Sequence, residues 1–596
     1  MFLIFIPLLL RLADLGGLAD RKPIRIPDGP AVVVVSRIPD PDAAPGRAVT
    51  VIGKDEIRSA PARTLSEFLK YGLGLDYQER GALGTQADVS LRASTFQQVL
   101  VLVDGVRVND LQTAHHNLDL PIPLESVERI EILSGNGSSL YGPDAFGGVL
   151  NIVTAEPERT RINGRLGVYD HQTRSGALGL SFGGPRLRNT LALEANDSRG
   201  FIEGRDFSLL NVSDRLALRT PNVEFSLLAA YGRKDFGALD FYTPGMNFPS
   251  REATRTLFLS ASCKRIFGGS TLTQRVSFRS HRDRFVLDGD RFWLYTNDTT
   301  NIVIGTDAVL RFEDWAVGAE AARESVRSLQ LGNHRHIRAA LFAEYKRVLA
   351  GRILLNAGLR QDYHPVYGWA TSPSLSMGCW LAPRLKLRVA GGHSFRAPSY
   401  TELYYRDPAN QGNPDLRPET AWAYECGVDW SPSRPLEATL SLFQRDEKNL
   451  IDWIRRPDRK WHADNLKKLR VWGMEAGLSG DWDAVRVRLK TSLFMADPEE
   501  SSSEFKYGFR FPRVQAGCTL ALRPAPACEL GLHLSYKKRI GAAGTILLDA
   551  KIARTMGGFS LFLEGTNLLN ASYEDVSGLA MPGRWLGGGI RFEFEP

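Results

Sequence analysis

The feature that most constrains the fold is a two-residue alternation of apolar and polar side chains, which persists from about residue 161 to the end of the chain. In the segment "AVRVRLKTSLF", for example, Val485 and Val487 alternate with Arg486 and Arg488. Strict alternation predicts a strand with one apolar and one polar face. Any single segment of this kind would also suit a two-sided sheet in a soluble protein, so the spacing of the segments has to separate the two cases.

The spacing favours a closed transmembrane barrel. Very short turns, such as those at residues 220–222 and 350–351, alternate with longer polar loops, such as residues 233–253, 396–418 and 449–464. Outer-membrane barrels have this asymmetry, with short turns on the periplasmic side. We count about 22 antiparallel strands, a number associated with barrels that hold a plugged lumen. Because an Arg or Lys facing lipid near mid-bilayer costs about 2–4 kcal/mol, the basic residues of the quoted segment are expected to face the lumen.

Composition is consistent with this prediction and excludes some other classes. The 596 residues are 43% hydrophobic and 24% charged, with a mean hydropathy of −0.20. These values are typical of soluble proteins, but transmembrane barrels have them too, since only alternate residues face lipid. The net charge of +7 is spread along the chain without a basic run, so no nucleic-acid partner is expected. The five cysteines form no CxxC pair, which argues against zinc and redox sites.

The first 155 residues follow a different pattern. Residues 64–74 read as a short capped helix, and residues 99–108 read as two strands around a tight turn at Asp104 and Gly105. Together, residues 47–155 predict a small α+β domain of a size that folds as a unit. A wide barrel would leak unless it were filled, so we expect this domain to lie inside the lumen.

Three long motifs carry a family resemblance. They are "VLVLVDGVRVND" with "VERIEILSGNGSSLYGPDAFGGVLNIVT" in the first domain, "SFRAPSYTELYYRDPANQGNPDLRPETAWAYECG" at residues 394–427, and "EGTNLLNASYEDVSGLAMPGRWLGGGIRFEF" at the C-terminus. In this order they resemble TonB-dependent outer-membrane receptors, and within that family the cobalamin-receptor type.

The resemblance implies an organisation for the whole chain. Residues 1–26 are expected to be an export signal or an unstructured leader, residues 27–46 a flexible segment, residues 47–155 the plug domain and residues 156–596 the barrel. The implied location is the outer membrane of a Gram-negative-type bacterium, in contact with its lipid. We expect a monomer, because a barrel closes its own edges.

A valine-rich run between two Pro/Asp-rich stretches is suited to adding a strand to the sheet edge of a partner. The family has its TonB box at this place, which implies contact with TonB of the TonB–ExbB–ExbD complex. The alternative is an edge strand of the plug itself. The expected TonB contacts are Ala31, Val32, Val33, Val34, Val35 and Ser36.

Such a partner would supply work that the outer membrane lacks. Accumulating a nutrient a thousandfold costs about 4 kcal/mol. One charge crossing the inner membrane yields about 2.3 kcal/mol per 100 mV, so two charges suffice.

Family architecture places the transported ligand above the plug apices and beneath the extracellular loops. The expected ligand-binding residues are Thr85, Gln86, Asn109, Gln112, His115, His116, Asn117, Phe241, Tyr242, Tyr404, Tyr405 and Asn410. We expect no metal site here, because adjacent histidines in extended structure point apart. Asp197, Glu203 and Asp206 are too thinly spaced to indicate the loop calcium sites seen in cobalamin receptors.

The function implied by the resemblance is energy-coupled import of a scarce nutrient, cobalamin or a related corrinoid. Three alternatives stay open: a ferric-siderophore receptor of the same family, a passive porin, and an outer-membrane hydrolase. The hydrolase is disfavoured because Ser280 and His281 are strand neighbours that point to opposite faces. No catalytic residue and no catalytic cofactor are expected.

Overall fold

The computed structural model describes Ser36 and residues 46–498, 505–507 and 510–595. The expected leader at residues 1–26 and the valine run at residues 31–35 lie outside these ranges. Among the described residues, no helix is both long enough and apolar enough to cross a bilayer.

The N-terminal domain is a small α+β unit. Its strands are β1 (Val49–Gly53), β2 (Leu75–Glu79), β3 (Ala87–Leu91), β4 (Val99–Val103), β5 (Val106–Arg107), β6 (Val127–Ser134) and β7 (Gly148–Thr154), and its helices are α1 (Lys54–Ser59), α2 (Leu65–Phe68) and α3 (Ser138–Tyr141). Five strands form a sheet in the order β1-β6-β7-β4-β5, and β2 pairs with β3 separately. The interior strand β4 is wholly apolar because both of its faces are buried. As predicted, β4 and β5 join through Asp104 and Gly105, both with positive φ.

The rest of the chain forms a closed antiparallel barrel, as predicted. Its strands are β8 (Arg161–Tyr169), β9 (Thr173–Gly183), β10 (Leu187–Ser198), β11 (Phe207–Arg219), β12 (Val223–Gly237), β13 (Arg251–Phe267), β14 (Ser270–Val286), β15 (Thr296–Phe312), β16 (Trp315–Ser328), β17 (Gly332–Leu349), β18 (Ile353–His364), β19 (Gly368–Ala382), β20 (Leu385–Arg396), β21 (Asn410–Gln411), β22 (Glu419–Ser433), β23 (Leu436–Arg455), β24 (Trp461–Asp481), β25 (Val485–Pro498), β26 (Pro512–Ala525), β27 (Cys528–Arg539), β28 (Gly544–Met556), β29 (Phe559–Thr566) and β30 (Trp585–Phe594). The two-residue β21 and helix α4 (Tyr400–Tyr404) belong to one loop, and the other 22 strands make the wall. Strand β30 pairs with β8 and closes the ring.

The alternation resolves into an apolar outside and a polar inside. In β8, Leu166 and Val168 are 63% and 68% exposed on the outer face, whereas Arg165, just before them, is 1% exposed. Arg165 points inward and donates to the backbone carbonyls of Ala62 and Arg63 in the plug, at 2.7 Å each. The lipid-facing surface therefore carries the apolar half of each strand.

The basic residues of β25 face the lumen, as expected. Arg486 and Arg488 form ion pairs with Asp55 and Glu56 of helix α1, at 3.4 and 3.0 Å. Lys490 lies 3.4 Å from Glu475 on the neighbouring strand β24. Plug carboxylates thus neutralise charges that could not face lipid.

The predicted loop at residues 449–464 is wrong in its length, because β23 and β24 run well past the neighbouring strands. The side chains of Leu450, Ile451 and Trp453 are buried there. Ile451 and Trp453 pack with Leu403 of helix α4. Burial against this loop helix extends the strand pairing beyond the position that the polar composition indicated.

Charged and polar contacts hold the plug in the barrel. Arg92 of the plug is buried and donates to Glu425 on β22 at 2.5 Å and to Glu475 on β24 at 2.8 Å. Ser374 on β19 donates to Ser139 in helix α3 at 2.6 Å. Buried pairs of this kind fix register more than they add net stability, since the charges lose hydration on docking. Water can replace these polar contacts, whereas Leu228, Ala230 and Phe258 of the wall share a buried apolar cluster with the plug.

Candidate ligand-binding site at the plug apex

A cavity lies where the plug meets the long loops of the barrel. The plug contributes the short 3-10 helix Ala114–His116 and the residues just before it. The wall contributes the upper ends of β13, β14 and β15, and the loops contribute aromatic residues. A concave site lined by aromatic rings and a few polar groups is typical of small-molecule binding.

Six of the twelve residues expected to bind ligand line this cavity. They are Gln112, His115, His116, Tyr242, Tyr405 and Asn410. Three come from the plug and three from barrel loops, so the structure brings together segments that are far apart in sequence. Gln86 reaches the same group indirectly, because its Nε2 donates to the Tyr242 hydroxyl at 2.5 Å.

Two of the other expected plug residues have backbone partners that explain their polarity. Asn109 accepts a hydrogen bond from the amide of Val101 at 2.7 Å and donates to the carbonyl of Val99, which braces β4. Asn117 accepts from the amide of Asp110 at 2.8 Å and shapes the apical loop.

The remaining expected residues lie outside the cavity lining. Thr85 is buried in the plug. Phe241 is 1% exposed, and its ring packs beside that of Phe236. Tyr404 stacks on His334 with a ring separation of 3.9 Å.

Several cavity residues are absent from the sequence-based set. They include Glu252 at the start of β13, Asp283 near the end of β14, Tyr295, Lys506 and Tyr507. The hydroxyl of Tyr242 donates to Glu252 at 2.9 Å, and the amide of Gln112 donates to Asp283 at 3.1 Å. The sequence of β14 does indicate some of these residues, because Arg279, His281 and Asp283 occupy alternate positions and therefore share the lumen face.

The two apical histidines have opposite electrostatic environments. Burial lowers the pKa of His115 even though its Nδ1 lies 2.9 Å from Asp88, so the ring is neutral near pH 7. The ring of His115 stacks on Phe96 at 4.5 Å, which fixes its orientation. Burial also opposes protonation of His116, but the neighbouring carboxylates of Asp119 and Asp283 outweigh it and hold the pKa of His116 well above its usual value.

The apical loop is itself anchored to the wall. Asp110 receives hydrogen bonds from Arg279 on β14 and from Asn301 on β15, each at 2.8 Å. Burial works against the charge of Asp110, but nearby His281 and Arg279 lower the pKa of Asp110 to about 2. The ion pair with Arg279 therefore persists throughout the physiological pH range and holds the cavity floor in place.

The residue that follows the valine run contacts the lower half of the wall. Ser36 is buried, and its hydroxyl donates to Glu344 on β17 at 2.7 Å. Glu344 lies near the short turn after β17, on the end of the barrel opposite the apical cavity. The other five expected TonB contacts lie outside the described residues.

Family comparisons match both parts of the chain. Residues 135–555 match the family model described as "TonB dependent receptor-like, beta-barrel", and residues 43–149 match the "TonB-dependent Receptor Plug Domain". The barrel match covers more than half of the chain, and the two matches together frame the architecture described above.

Individual relatives fall into two groups. The chain is 27% identical over 467 residues to the "Vitamin B12 transporter BtuB" of Vibrio cholerae serotype O1, covering 72% of each protein, and 24% identical over 502 residues to that of Vibrio vulnificus strain YJ016, covering 79% of each.

The similar solved structures bear siderophore-receptor names. They include the siderophore receptor PiuA from Acinetobacter baumannii (TM-score 0.76, 14% identity, 96% of this chain and 100% of that one) and PirA from Pseudomonas aeruginosa (TM-score 0.73, 20% identity, 93% and 100%). At such identities the structures show the fold alone. Together with the family matches, they place this chain among the TonB-dependent outer-membrane receptors.

Proposed function

We propose that this receptor binds cobalamin or a related corrinoid in the apical cavity and imports it when TonB pulls on residues 31–36. The ligand enters from the loop side and rests on the plug, with His115 and Gln112 beneath it. Tension on the N-terminal segment then shifts the plug and opens a path along the wall.

The charge of the cavity lining is the observation that carries the choice of ligand. Among the described residues that line the cavity, the only Lys or Arg is Lys506. An anionic ferric chelate needs a cluster of basic donors, and this lining does not supply one. A corrinoid instead presents amide groups around a flat macrocycle. The hydroxyl groups of Tyr242 and Tyr405 and the side-chain amide of Asn410 can hydrogen-bond to such amides, and the tyrosine rings can pack against the macrocycle. The two relatives named as vitamin B12 transporters support the same choice.

The polar plug interface supports the transport step. Release of Ser36 from Glu344 frees the segment next to the proposed TonB contact. The ion pairs of Arg92 and the hydrogen bond between Ser139 and Ser374 can then exchange with water.

Direct binding to the purified receptor tests the ligand. We expect cyanocobalamin to bind with a Kd in the nanomolar range by isothermal titration calorimetry, and ferric enterobactin to give no heat. Tyr405→Ala should weaken cyanocobalamin binding at least tenfold, or about 1.4 kcal/mol, because it removes an aromatic ring from the cavity.

Tyr404→Ala is the matched control. It removes the adjacent tyrosine, which stacks on His334 outside the cavity lining, and it should change the Kd less than about twofold. Nanomolar binding of ferric enterobactin with no binding of cyanocobalamin would assign the chain to the siderophore receptors instead.

A further inference from the structure

Five ionisable side chains meet at the floor of the apical cavity, where the plug touches the wall. His116 and Asp119 come from the plug, Glu252 comes from β13, and His281 and Asp283 come from β14. All five are less than 8% exposed. The cluster joins residues that are separated by more than a hundred positions in the sequence.

Two of its carboxylates have no basic partner other than His116. Asp119 pairs with Lys234 at 2.7 Å. Glu252 and Asp283 have no Lys or Arg within ion-pair distance in the part of the chain that the structure describes, and they receive hydrogen bonds from the neutral groups of Tyr242 and Gln112. One oxygen of Asp283, Oδ1, is buried and has no hydrogen-bond partner among the described residues. Burying two such carboxylates side by side is costly unless a cation lies between them, and either a protonated His116 or a metal ion bound to its neutral ring can supply that charge.

The geometry of these groups fits coordination better than hydrogen bonding. His116 Nε2 lies 3.9 Å from Glu252 Oε1 and 3.7 Å from Asp283 Oδ2. Both distances exceed those of hydrogen bonds. Ligand atoms about 2.0–2.1 Å from a tetrahedral ion are roughly 3.3 Å apart, so both histidine–carboxylate distances would have to shorten by a few tenths of an ångström. All three ligand atoms already lie within 4.8 Å of one another.

The second nitrogen of His116 has the partner that metal-bound histidines have. Nδ1 lies 3.2 Å from Asp119 Oδ2, which orients the ring and leaves Nε2 directed at Glu252 and Asp283. Carboxylate–histidine pairs of this kind hold the imidazole of many metal sites in position. The cavity itself provides access and an open coordination position.

We propose that His116, Glu252 and Asp283 bind one divalent transition-metal ion between the plug apex and the barrel wall. One imidazole nitrogen and two carboxylates are a ligand set for ions such as Zn²⁺, Co²⁺ or Ni²⁺, whereas Ca²⁺ requires more oxygen ligands. The pair His115 and His116 does not form the site: His115 turns to Asp88, and the other ligands come from the wall. Bound metal would tie the apical loop to β13 and β14. This site is independent of which nutrient the receptor imports.

Metal binding to the whole purified receptor, prepared without a histidine tag, tests the proposal. Titration with Zn²⁺ should give one ion per chain with micromolar or tighter affinity, and Ca²⁺ should not compete. Co²⁺ should give the intense visible absorption of a low-coordinate site with nitrogen and oxygen ligands, a readout that needs no variant. Glu252→Gln and Asp283→Asn, prepared separately, should each weaken Zn²⁺ binding at least about tenfold, since second-shell losses alone cost tenfold or more.

His462→Gln serves as the control, because His462 pairs with Asp458 in an exposed hairpin at 2.8 Å and lies outside the cluster. It should leave Zn²⁺ affinity unchanged. The proposal is overturned if the unmodified chain binds no Zn²⁺ below millimolar concentration, if Ca²⁺ binds equally well, or if both carboxylate variants bind Zn²⁺ like the unmodified chain. None of these outcomes bears on the identity of the imported ligand, which the cyanocobalamin binding measurement tests separately.

Discussion

Oxidation of a Ser139→Cys/Ser374→Cys variant should reduce nutrient uptake at least about a hundredfold, because a disulfide between plug and wall would prevent the plug movement that transport requires. Ser139 lies in helix α3 of the plug and Ser374 in β19 of the wall, and their hydroxyl oxygens are 2.6 Å apart. Cysteines at these positions have side-chain atoms close enough to form a disulfide. The bond would fasten the plug to the wall, while the apical cavity stays intact. We therefore expect unchanged cyanocobalamin binding and recovery of uptake with dithiothreitol.

A second disulfide provides the control for oxidation itself. Ser226 and Ser262 face each other on β12 and β13, with hydroxyl oxygens 2.8 Å apart. A Ser226→Cys/Ser262→Cys variant joins two wall strands and does not cross the boundary between plug and barrel. Its uptake should be the same before and after oxidation. Full uptake by the oxidised plug–wall variant, with the disulfide verified by mass spectrometry, would contradict movement of the plug.

Val34→Pro should also abolish uptake, by at least about a hundredfold, while the Kd for cyanocobalamin changes less than about twofold. Proline has no backbone N–H, so it removes a hydrogen bond from any strand that residues 31–36 add to the sheet of TonB. The proposed nutrient site lies at the opposite end of the barrel from Ser36, which is why binding should survive. Uptake of labelled cyanocobalamin by whole cells measures the first effect, and calorimetry measures the second.

The control for this substitution is Ala43→Pro, in the neighbouring stretch that already contains Pro39, Pro41 and Pro45. No strand is expected there, so uptake should remain. If Val34→Pro cells accumulate cyanocobalamin at the normal rate, the valine run is not the TonB contact.

The barrel could be predicted because membrane and lumen impose opposite requirements on alternate residues. Arg486 and Arg488 could not face lipid, and the structure places both on plug carboxylates. Strand ends were harder to predict. The polar composition of residues 449–464 indicated a loop, yet Leu450 and Trp453 are buried and strand β23 continues through them.

The binding site could be predicted only where a motif marks its residues. Gln112 and His115 closely follow the plug motif that ends at Asp110, whereas Glu252 and Asp283 occupy ordinary strand positions. Their proximity to His116 depends on how the plug is positioned inside the barrel, which no local sequence pattern encodes. For the same reason, the sequence could not show that Tyr405 lines the cavity and Tyr404 does not. Helix α4 ends between them, and the extended backbone of Tyr405 directs its ring into the cavity.

The central claim is that a seated plug closes this barrel and that TonB must move it for the nutrient to pass. Uptake of labelled cyanocobalamin by two strains, each expressing this receptor and differing only in the presence of TonB, tests that claim most directly. We predict accumulation far above the external concentration in the strain with TonB, and surface-bound label alone in the strain without it. Equal entry into both strains would contradict the claim and would indicate a passive pore.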